Sequence, residues 1–457
     1  MTSSVETGFT VLNDEKMGIR FIISAAAVLL AGNVSGYAQD KLWNLEQCID
    51  YAVEHNLTVK TQEIARQQKD IDLNTAENSR LPDLSGSAGQ NFSFGRGLSA
   101  DNTYVNTNTA STSFSLGSSI NVFNGFRTER TVKLRKLDLQ AAVEDLEKAR
   151  DDIRVAVMQA YFQILYAQEI RKVAQRQVGI DSVQVERLRS MRMNGKADDA
   201  EVAQQEASLG QSRLTLTQAE NSLELALLDL AQLLELPSPD GFGVVSPDAV
   251  ESPVLAGSAE DIFAQAVEMR PAVKAEMLRL DAAEMNVAIA KSSLYPSVSL
   301  SGGIGTNWYK SSGYEAARFV SQMKNNFSQY VGVSLNVPIF SRFSVRNGIR
   351  SARLAGESQR IQLESVKKSL YKEIQQAWYN AVASQAKLQS CADAKKSAEE
   401  SFRLVSAKYV NGKAAAAEFN DSRNSLMKAS SDMVLALYEN LFQVKLLDFY
   451  RGKPIEL

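Results

Sequence analysis

The sequence predicts a mostly α-helical chain with a transmembrane β-barrel, built by tandem duplication of one unit of helix, hairpin, long helix, turn and helix. Three observations lead to this fold class. Long proline-free runs permit very long helices, because proline breaks a helix; of nine prolines in 457 residues, six fall between Pro237 and Pro296. Uncharged segments alternate between apolar and small polar residues, which is typical of membrane-spanning strands. The two halves of the chain also match each other in order.

The composition excludes several classes of function. The 50 basic and 53 acidic side chains give a net charge of −3, so no basic face for nucleic acid is predicted. A single histidine argues against histidine-based metal binding or acid–base catalysis. Cys48 and Cys391 form no CxxC motif and can pair only if the fold brings them together. We therefore predict no enzyme, no metal site and no cofactor.

The N-terminal segment has the features of a signal peptide. A short basic stretch ends at Arg20, an apolar run covers residues 21–31, and small residues lead to Ala38. We expect residues 1–38 to be removed on export, and we expect the true start at Met17 because acidic residues precede it. The apolar run is too short to cross a bilayer. The alternative is an uncleaved, buried segment.

An internal repeat organises the rest of the chain. Residues 45–89 align without gaps on residues 259–303, and the Asn-Gly-Lys-Ala sequence at 194–197 recurs at 411–414. Chance similarity of helical sequences is the alternative, but the collinear order argues against it. The expected domains are a first repeat at 39–236, a linker at 237–258 and a second repeat at 259–457.

The helices have the same order in both repeats. Each repeat starts with a helix, and Pro271 is expected to split the second of these. The longest segments would form helices of about 100 Å, which need lateral partners along their length, as in a coiled coil or a barrel of helices. The predicted helices cover about 45–80, 127–193 and 200–236, then 259–294, 344–410 and 414–449.

Four strands complete the prediction, two in each repeat. Their apolar residues alternate with Gly, Ser and Asn rather than with charged residues, as expected of strands that face lipid on one side. Aromatic residues cluster near the strand ends, which suits interfacial belts. The alternative is a small soluble β-sandwich. The predicted strands cover about 83–96, 112–124, 296–309 and 327–340, and the hairpins start at Pro82 and Pro296.

Four strands cannot close a barrel by themselves. A spanning sheet with open edges would leave unpaired backbone groups in hydrocarbon, so other copies of the chain must complete it. Two copies would give eight strands, whose interior fills with side chains, and three would give twelve, which leaves a conduit. We therefore predict an oligomer larger than a dimer.

The duplicated order resembles the TolC-type outer membrane efflux proteins, over essentially the whole mature chain. The resemblance implies a homotrimer with a twelve-stranded barrel in the outer membrane, continued by a twelve-helix barrel through the periplasm. It also implies contact with outer membrane lipid and, as partners, a periplasmic adaptor and an inner membrane transporter. The motifs that carry the resemblance are Ala-Val-Glu at 52–54, the hairpin ends at 122–125 and 337–340, and Tyr409-x-x-Gly412 followed by Glu418 and Asp421.

The same resemblance implies a gate at the periplasmic end. Family members close the tunnel with a Tyr, an Arg and two acids three residues apart. These positions fall on Tyr409, Glu418 and Asp421, while the arginine position falls on Ala414, next to Lys413. Carboxylate rings favour cations; the alternative is a pair of ordinary solvated helix acids. The turn residues expected to meet an adaptor are Asn194, Gly195, Lys196, Asn411 and Gly412, for which helix capping is the alternative.

The function predicted from these features is a passive outer-membrane exit duct. It would serve a tripartite efflux or type I secretion system and be opened at its periplasmic tip by the adaptor and pump. The alternative is a periplasmic coiled-coil adaptor or scaffold without a pore, against which the uncharged strands argue.

Overall fold

A computed structural model describes most of the chain. The expected signal peptide and half of the expected linker, residues 240 and 247–256, lie outside the described residues. The described residues are 41–98, 102–239, 241–246, 257–312 and 315–455.

The elements follow the duplicated order. The first half contains β1 (Lys41–Trp43), α1 (Leu45–His55), α2 (Leu57–Asn78), β2 (Ser85–Leu98), β3 (Tyr104–Phe123), α3 (Arg127–Met193) and α4 (Asp199–Leu233). The second half contains β4 (Phe242–Val244), α5 (Ala259–Met269), α6 (Pro271–Ser292), β5 (Ser297–Ser311), α7 (Phe319–Asn325), β6 (Ser328–Asn336), α8 (Ser344–Val410) and α9 (Ala416–Tyr450). Both α3 and α8 have 67 residues, a length of about 100 Å.

The helix expected over residues 45–80 is two helices, divided at Asn56. The Asn56 side chain accepts a hydrogen bond from the Thr58 amide at 2.9 Å and donates to the Leu233 carbonyl at 3.1 Å. Asn56 therefore caps α2 and ties it to the end of α4. The corresponding break in the second half is at Pro271, as predicted, because proline is favoured at the first position of a helix.

Two strands differ in length from the prediction. Strand β3 starts at Tyr104 rather than at 112, because its Asn- and Thr-rich first half pairs with β2 as far as Leu98. Strand β6 ends at Asn336 rather than at 340, shortly before Pro338, which has no amide to donate to a sheet. The short strands β1 and β4, which pair in parallel, and helix α7 were not predicted.

The four long strands form one antiparallel sheet in the order β2-β3-β5-β6. Within the described residues, one edge of β2 and one edge of β6 have no strand partner. One face of the sheet carries the apolar side chains of all four strands, such as Leu116, Ile304 and Val331, and Val331 is 83% exposed. The other face carries mainly Ser, Gly and Asn. No helix in the described ranges combines the length and the hydropathy needed to cross a membrane.

The main core lies where α1, α3, α4 and α9 meet. At its centre the buried Tyr161 hydroxyl lies 2.7 Å from the Val245 carbonyl and 3.2 Å from that of Trp43, which joins α3 to the β1–β4 pair. Cys48 is buried in this core, and burial raises the pKa of its thiol to about 12. Cys48 and Cys391 form no disulfide.

Beyond this core, α3 packs on α4 and α8 packs on α9 as two antiparallel helical hairpins. Five buried residues of α3 near its C-terminal end recur at alternating intervals of three and four, which is the spacing of a coiled-coil seam. These residues are Ala174, Gln177, Asp181, Gln184 and Leu188. The buried residues of α4 in its first half include Val202, Gln205, Leu209 and Ser212, of which Gln205 and Ser212 donate hydrogen bonds to Asp181.

Candidate functional site

The tips of the two helical hairpins hold the predicted turn residues. We call residues 194–198 the first tip and residues 411–415 the second tip. The side chains of Asn194 and Asn411 donate to carbonyls four residues back, at 2.8 and 2.7 Å. Gly195 and Gly412 have φ values of 66° and 68°, which glycine adopts without strain. The Asn-Gly pairs therefore end α3 and α8, the structural role considered for them.

The predicted lysines close the same turns through their backbone. The amide of Lys196 donates to the Met191 carbonyl at 2.8 Å, and that of Lys413 donates to the Lys408 carbonyl at 2.9 Å. In each turn the donating amide lies five residues after the accepting carbonyl. Such a hydrogen bond ends a helix in the Schellman motif. Lys413 is exposed, so its ammonium is accessible at the second tip.

Tyr409 lies just before the second tip and is held on three sides. Its ring stacks on Phe419 with centroids 4.8 Å apart, and the Arg187 guanidinium lies 5.7 Å from the ring centroid. Arg187 also donates to the Val410 carbonyl at 3.0 Å. Burial raises the pKa of the Tyr409 phenol, opposed by a hydrogen bond with Gln184, so the hydroxyl stays protonated at neutral pH.

Arg187 is a residue that the sequence did not single out. The family arginine position falls on Ala414, and the guanidinium next to Tyr409 comes instead from α3 of the other hairpin. The contact joins the C-terminal parts of α3 and α8, next to the two tips. A cation over an aromatic ring contributes about 0.5–1 kcal/mol at such partly exposed sites.

Glu418 and Asp421 lie on the first turns of α9, on the side away from its packing. Both are exposed, whereas Phe419 and Arg423 on the same helix are buried. The i, i+3 spacing of the acids and the i, i+4 spacing of the buried pair define two opposite faces of the helix. The acids are therefore presented as a pair, free of the hairpin's own interior.

A buried ion pair lies behind this face. Arg423 of α9 binds Asp181 of α3, and the two side chains are 4% and 0% exposed. Asp181 also accepts hydrogen bonds from Gln177 at 3.2 Å and Gln205 at 3.3 Å, and from Ser212. The carboxylate is thus fully hydrogen-bonded, which a buried charge requires.

Sequence reasoning missed this ion pair, although a signal was present. Gln177, Asp181 and Gln184 occupy seam positions where a coiled coil usually places apolar residues. A polar side chain at such a position indicates that it pairs with another polar group. Asp181 pairs with a residue of another helix. The partner, Arg423, could not be deduced because it is 242 positions away.

The hairpin starts lie at the other end of the long helices. After Pro82, Asp83 accepts hydrogen bonds from the Ser119 amide at 2.6 Å and the Ser119 hydroxyl at 2.8 Å, which fixes the start of β2 against β3. Pro296 directly precedes β5. Neither proline is near the tips, so the predicted residues form two separate groups.

Comparison with known proteins places this architecture in a family. Residues 48–235 and 262–450 match the family model described as outer membrane efflux protein, one segment in each half of the chain. The chain belongs to the outer membrane efflux protein family. It is thus an outer membrane efflux protein with a large, helical periplasmic part.

Individual members of the outer membrane efflux protein family resemble the chain over most of its length. It is 22% identical over 424 residues to the outer membrane efflux protein BepC of Brucella suis, covering 91% of this chain and 88% of that one. It is 22% identical to the outer membrane protein TolC of Vibrio cholerae, over 68% of this chain and 69% of that one. The solved structure of VceC from Vibrio cholerae matches with a TM-score of 0.72 at 20% identity, covering 90% of this chain and 97% of that one.

Proposed function

We propose that this protein is the passive exit duct of a tripartite efflux or type I secretion system, and that it spans both the outer membrane and the periplasm. The observation that carries the proposal is a four-stranded sheet with two open edges, continuous with helices of 67 residues. An open sheet edge is not tolerated in hydrocarbon, so the edges require partners of the same kind.

Three copies of the chain satisfy this requirement and leave a channel. Each copy contributes four strands, so that β6 of one protomer pairs with β2 of the next in a twelve-stranded barrel. The small polar residues face the lumen and the apolar face meets lipid. Helices α3, α4, α8 and α9 of three copies give the twelve helices of a periplasmic tunnel. A dimer would have eight strands and an interior filled by side chains.

The second tip and the first turns of α9 supply the constriction in this arrangement. Glu418 and Asp421 from three protomers give six carboxylates around the periplasmic opening, with Lys413 at the turn and Tyr409 packed behind it. Such a ring favours cations and opposes anions. Arg187 of α3 holds the end of α8 through Tyr409 and Val410, and Asp181 of α3 holds α9 through Arg423, so opening requires that these contacts be released.

The partners follow from the position of the tips. A periplasmic adaptor meets the turn residues of both tips and, with an inner membrane transporter, opens the constriction. The first tip offers Asn194, Gly195 and Lys196, and the second offers Asn411 and Gly412. All five are exposed, as a docking surface requires.

The subunit count tests the proposal directly. Native mass spectrometry of the protein extracted in detergent from outer membranes is expected to give a trimer, and planar bilayers containing that trimer are expected to conduct ions. A monomer or dimer that stays soluble without detergent would contradict the duct. That result would favour a periplasmic coiled-coil adaptor or scaffold.

A further inference from the structure

Helix α7 takes the place of a strand at one end of the sheet. Strand β5 pairs with β3 as far as Ser311 but with β6 only as far as Gly305. Above this point, the Gln322 side chain accepts from the Tyr309 amide at 2.9 Å and donates to its carbonyl at 3.0 Å. Asn326 donates to the Asn307 carbonyl at 2.7 Å. The side chains of this segment thus satisfy the β5 edge where β6 ends.

The same helix lies on the apolar face of the sheet. Thr306 donates to the Met323 carbonyl at 2.6 Å, and the Trp308 ring lies 5.9 Å from that of Phe319. Side chains alternate between the faces of a strand, so Thr306 and Trp308 share the face of Ile304. In the proposed barrel this is the outer face, and α7 lies beside the channel wall instead of over its mouth.

Helix α7 and its flanks expose apolar side chains next to a groove. Phe319, Val320 and Phe327 are 46%, 64% and 55% exposed. The groove, about 420 Å³ in volume, lies on the apolar face below α7 and is bounded by Phe114, Ile304 and Phe327, among others. Exposed aromatic and aliphatic side chains on a short helix at the end of membrane-spanning strands are typical of the bilayer interface.

The charges at this end of the sheet are mostly basic. From Ser297 to Phe340 the charged residues are Lys310, Glu315, Arg318 and Lys324. The three cations are exposed, and within the described residues none forms an ion pair. Lys310 follows Trp308 on the apolar face, and Arg318 and Lys324 lie at the two ends of α7. Cations next to exposed apolar groups complement a lipid that carries a phosphate.

We propose that α7, Lys310 and the groove form a binding site for a phosphate-bearing lipid of the outer leaflet. The headgroup phosphate lies among Lys310, Arg318 and Lys324, and an acyl chain lies in the groove. This site rests on the proposed barrel, which places α7 at the outer interface of the membrane. It gives each protomer its own lipid contact, away from the duct and its gate.

Trp308 provides a reporter for this site. In a W43F/W378F background it is the remaining tryptophan of the full-length chain, and brominated lipids quench tryptophan fluorescence on contact. The protein is reconstituted into phosphatidylcholine bilayers with increasing fractions of brominated phosphatidylglycerol or of brominated phosphatidylcholine. A cation near an anionic lipid raises affinity about fivefold, so we expect a preference of about fivefold or more for phosphatidylglycerol.

Charge variants separate the site from general electrostatics. K310Q/R318Q/K324Q is expected to reduce the preference to near one. The control variant K368Q/K372Q/K396Q removes the same amount of charge from exposed positions on α8. This control is expected to keep the preference for phosphatidylglycerol. Circular dichroism of each variant checks that the fold is retained. Equal quenching by both lipids, unchanged by the first triple variant, would overturn the lipid site while leaving the barrel intact.

Two further outcomes distinguish the remaining possibilities. If neither brominated lipid quenches Trp308, the sheet is not in the bilayer and the proposed duct itself fails. If Trp308 shows no preference between the two lipids but inorganic phosphate changes its fluorescence more than sodium chloride of equal ionic strength does, the site binds a free anion and the lipid assignment is wrong.

The groove is tested by Gly86→Val. A Cβ atom at Gly86 would lie 3.6 Å from Leu116, an ordinary contact, so a larger side chain there fills the groove without a backbone clash. We expect this variant to lower the preference for phosphatidylglycerol although it changes no charge. An unchanged preference would remove the acyl chain from the groove.

Discussion

The ion pair between Asp181 and Arg423 links the two helical hairpins behind the tips. Surface ion pairs contribute little because water already solvates both partners. This pair is buried, and each charge depends on the other for compensation. It connects α3 of the first repeat with α9 of the second, so it fixes how the two helical hairpins align.

Substitution of Asp181 tests this dependence. Asp181→Ala leaves the Arg423 charge buried without a counter-charge, and we expect a loss of about 3–5 kcal/mol in unfolding free energy. The double variant D181L/R423M replaces the pair by apolar side chains and is expected to recover most of this loss. Thermal unfolding followed by circular dichroism in detergent gives the comparison.

Lys387→Ala is the matched control. It removes an ion pair with Glu439, also between two helices, whose partners are 44% and 43% exposed. Its effect is expected to be small. Equal destabilisation by the D181A and K387A substitutions would show that the buried pair does not stabilise the fold.

The elements differ in how far the sequence predicts them. The long helices could be predicted because their segments lack proline and are rich in good helix formers. The hairpins could be predicted because alternation and the absence of charge coincide. The break at Asn56 could not, since it depends on a hydrogen bond to Leu233 from a distant helix. Helix α7 could not either, because its seven residues are held by contacts with β5.

The junctions between strands and long helices illustrate the same limit. The sequence matches Phe126 with Phe343 between the repeats, and the structure adds that both adopt positive φ values, 63° and 61°. Each packs against a second aromatic residue three positions earlier, with ring centroids 5.3 and 5.7 Å apart. The sequence shows that the phenylalanine is repeated, but it does not show the positive φ at that position.

Gly125, at the first of these junctions, gives a prediction for the β3–α3 connection. Its φ is +67°, and a Cβ atom would lie 2.6 Å from the Ser292 carbonyl oxygen at the end of α6. Gly125→Ala must therefore displace backbone as well as strain it, and we expect a loss of stability well above the 1–2 kcal/mol of the strain alone.

Gly195→Ala separates strain from crowding. Gly195 has nearly the same φ, +66°, but a Cβ atom there would have no neighbour within 4 Å. We therefore expect Gly195→Ala to lose only the stability that the positive φ costs, about 1–2 kcal/mol. Equal decreases in melting temperature for the two substitutions would mean that the contact with α6 does not constrain the junction.

At the scale of the whole molecule, the proposed gate depends on carboxylates repeated around the axis of the proposed trimer. The family resemblance and the spacing single out Glu418 and Asp421, but the role proposed for them depends on a symmetry that one chain does not contain. The sequence showed which residues share a helix face. It could not show that the opposite face of the same helix is tied to α3 by Arg423.

Removal of the two acids tests the proposed constriction. The E418A/D421A variant is expected to lose most of the cation preference of the channel, because it removes the carboxylates proposed to line the opening. Reversal potentials in planar bilayers under a salt gradient measure the preference. The control variant E220A/E224A removes the same amount of charge from exposed positions on α4, away from the tips. This control is expected to retain the cation preference. Unchanged cation selectivity in E418A/D421A would exclude the two acids from the pore lining.

The open edges of β2 and β6 also bear on how such a protein reaches its membrane. A single chain inserted alone would expose two rows of amide and carbonyl groups to hydrocarbon, at a cost of several kcal/mol for each unpaired group. In the proposed barrel, folding of the sheet and association of the chains are then one event, so we expect the yield of inserted protein to rise steeply with the concentration of unassembled chains. A chain with a damaged β6 edge would block its neighbours as well as itself, and co-expressed with intact chains it would act as a dominant inhibitor of biogenesis.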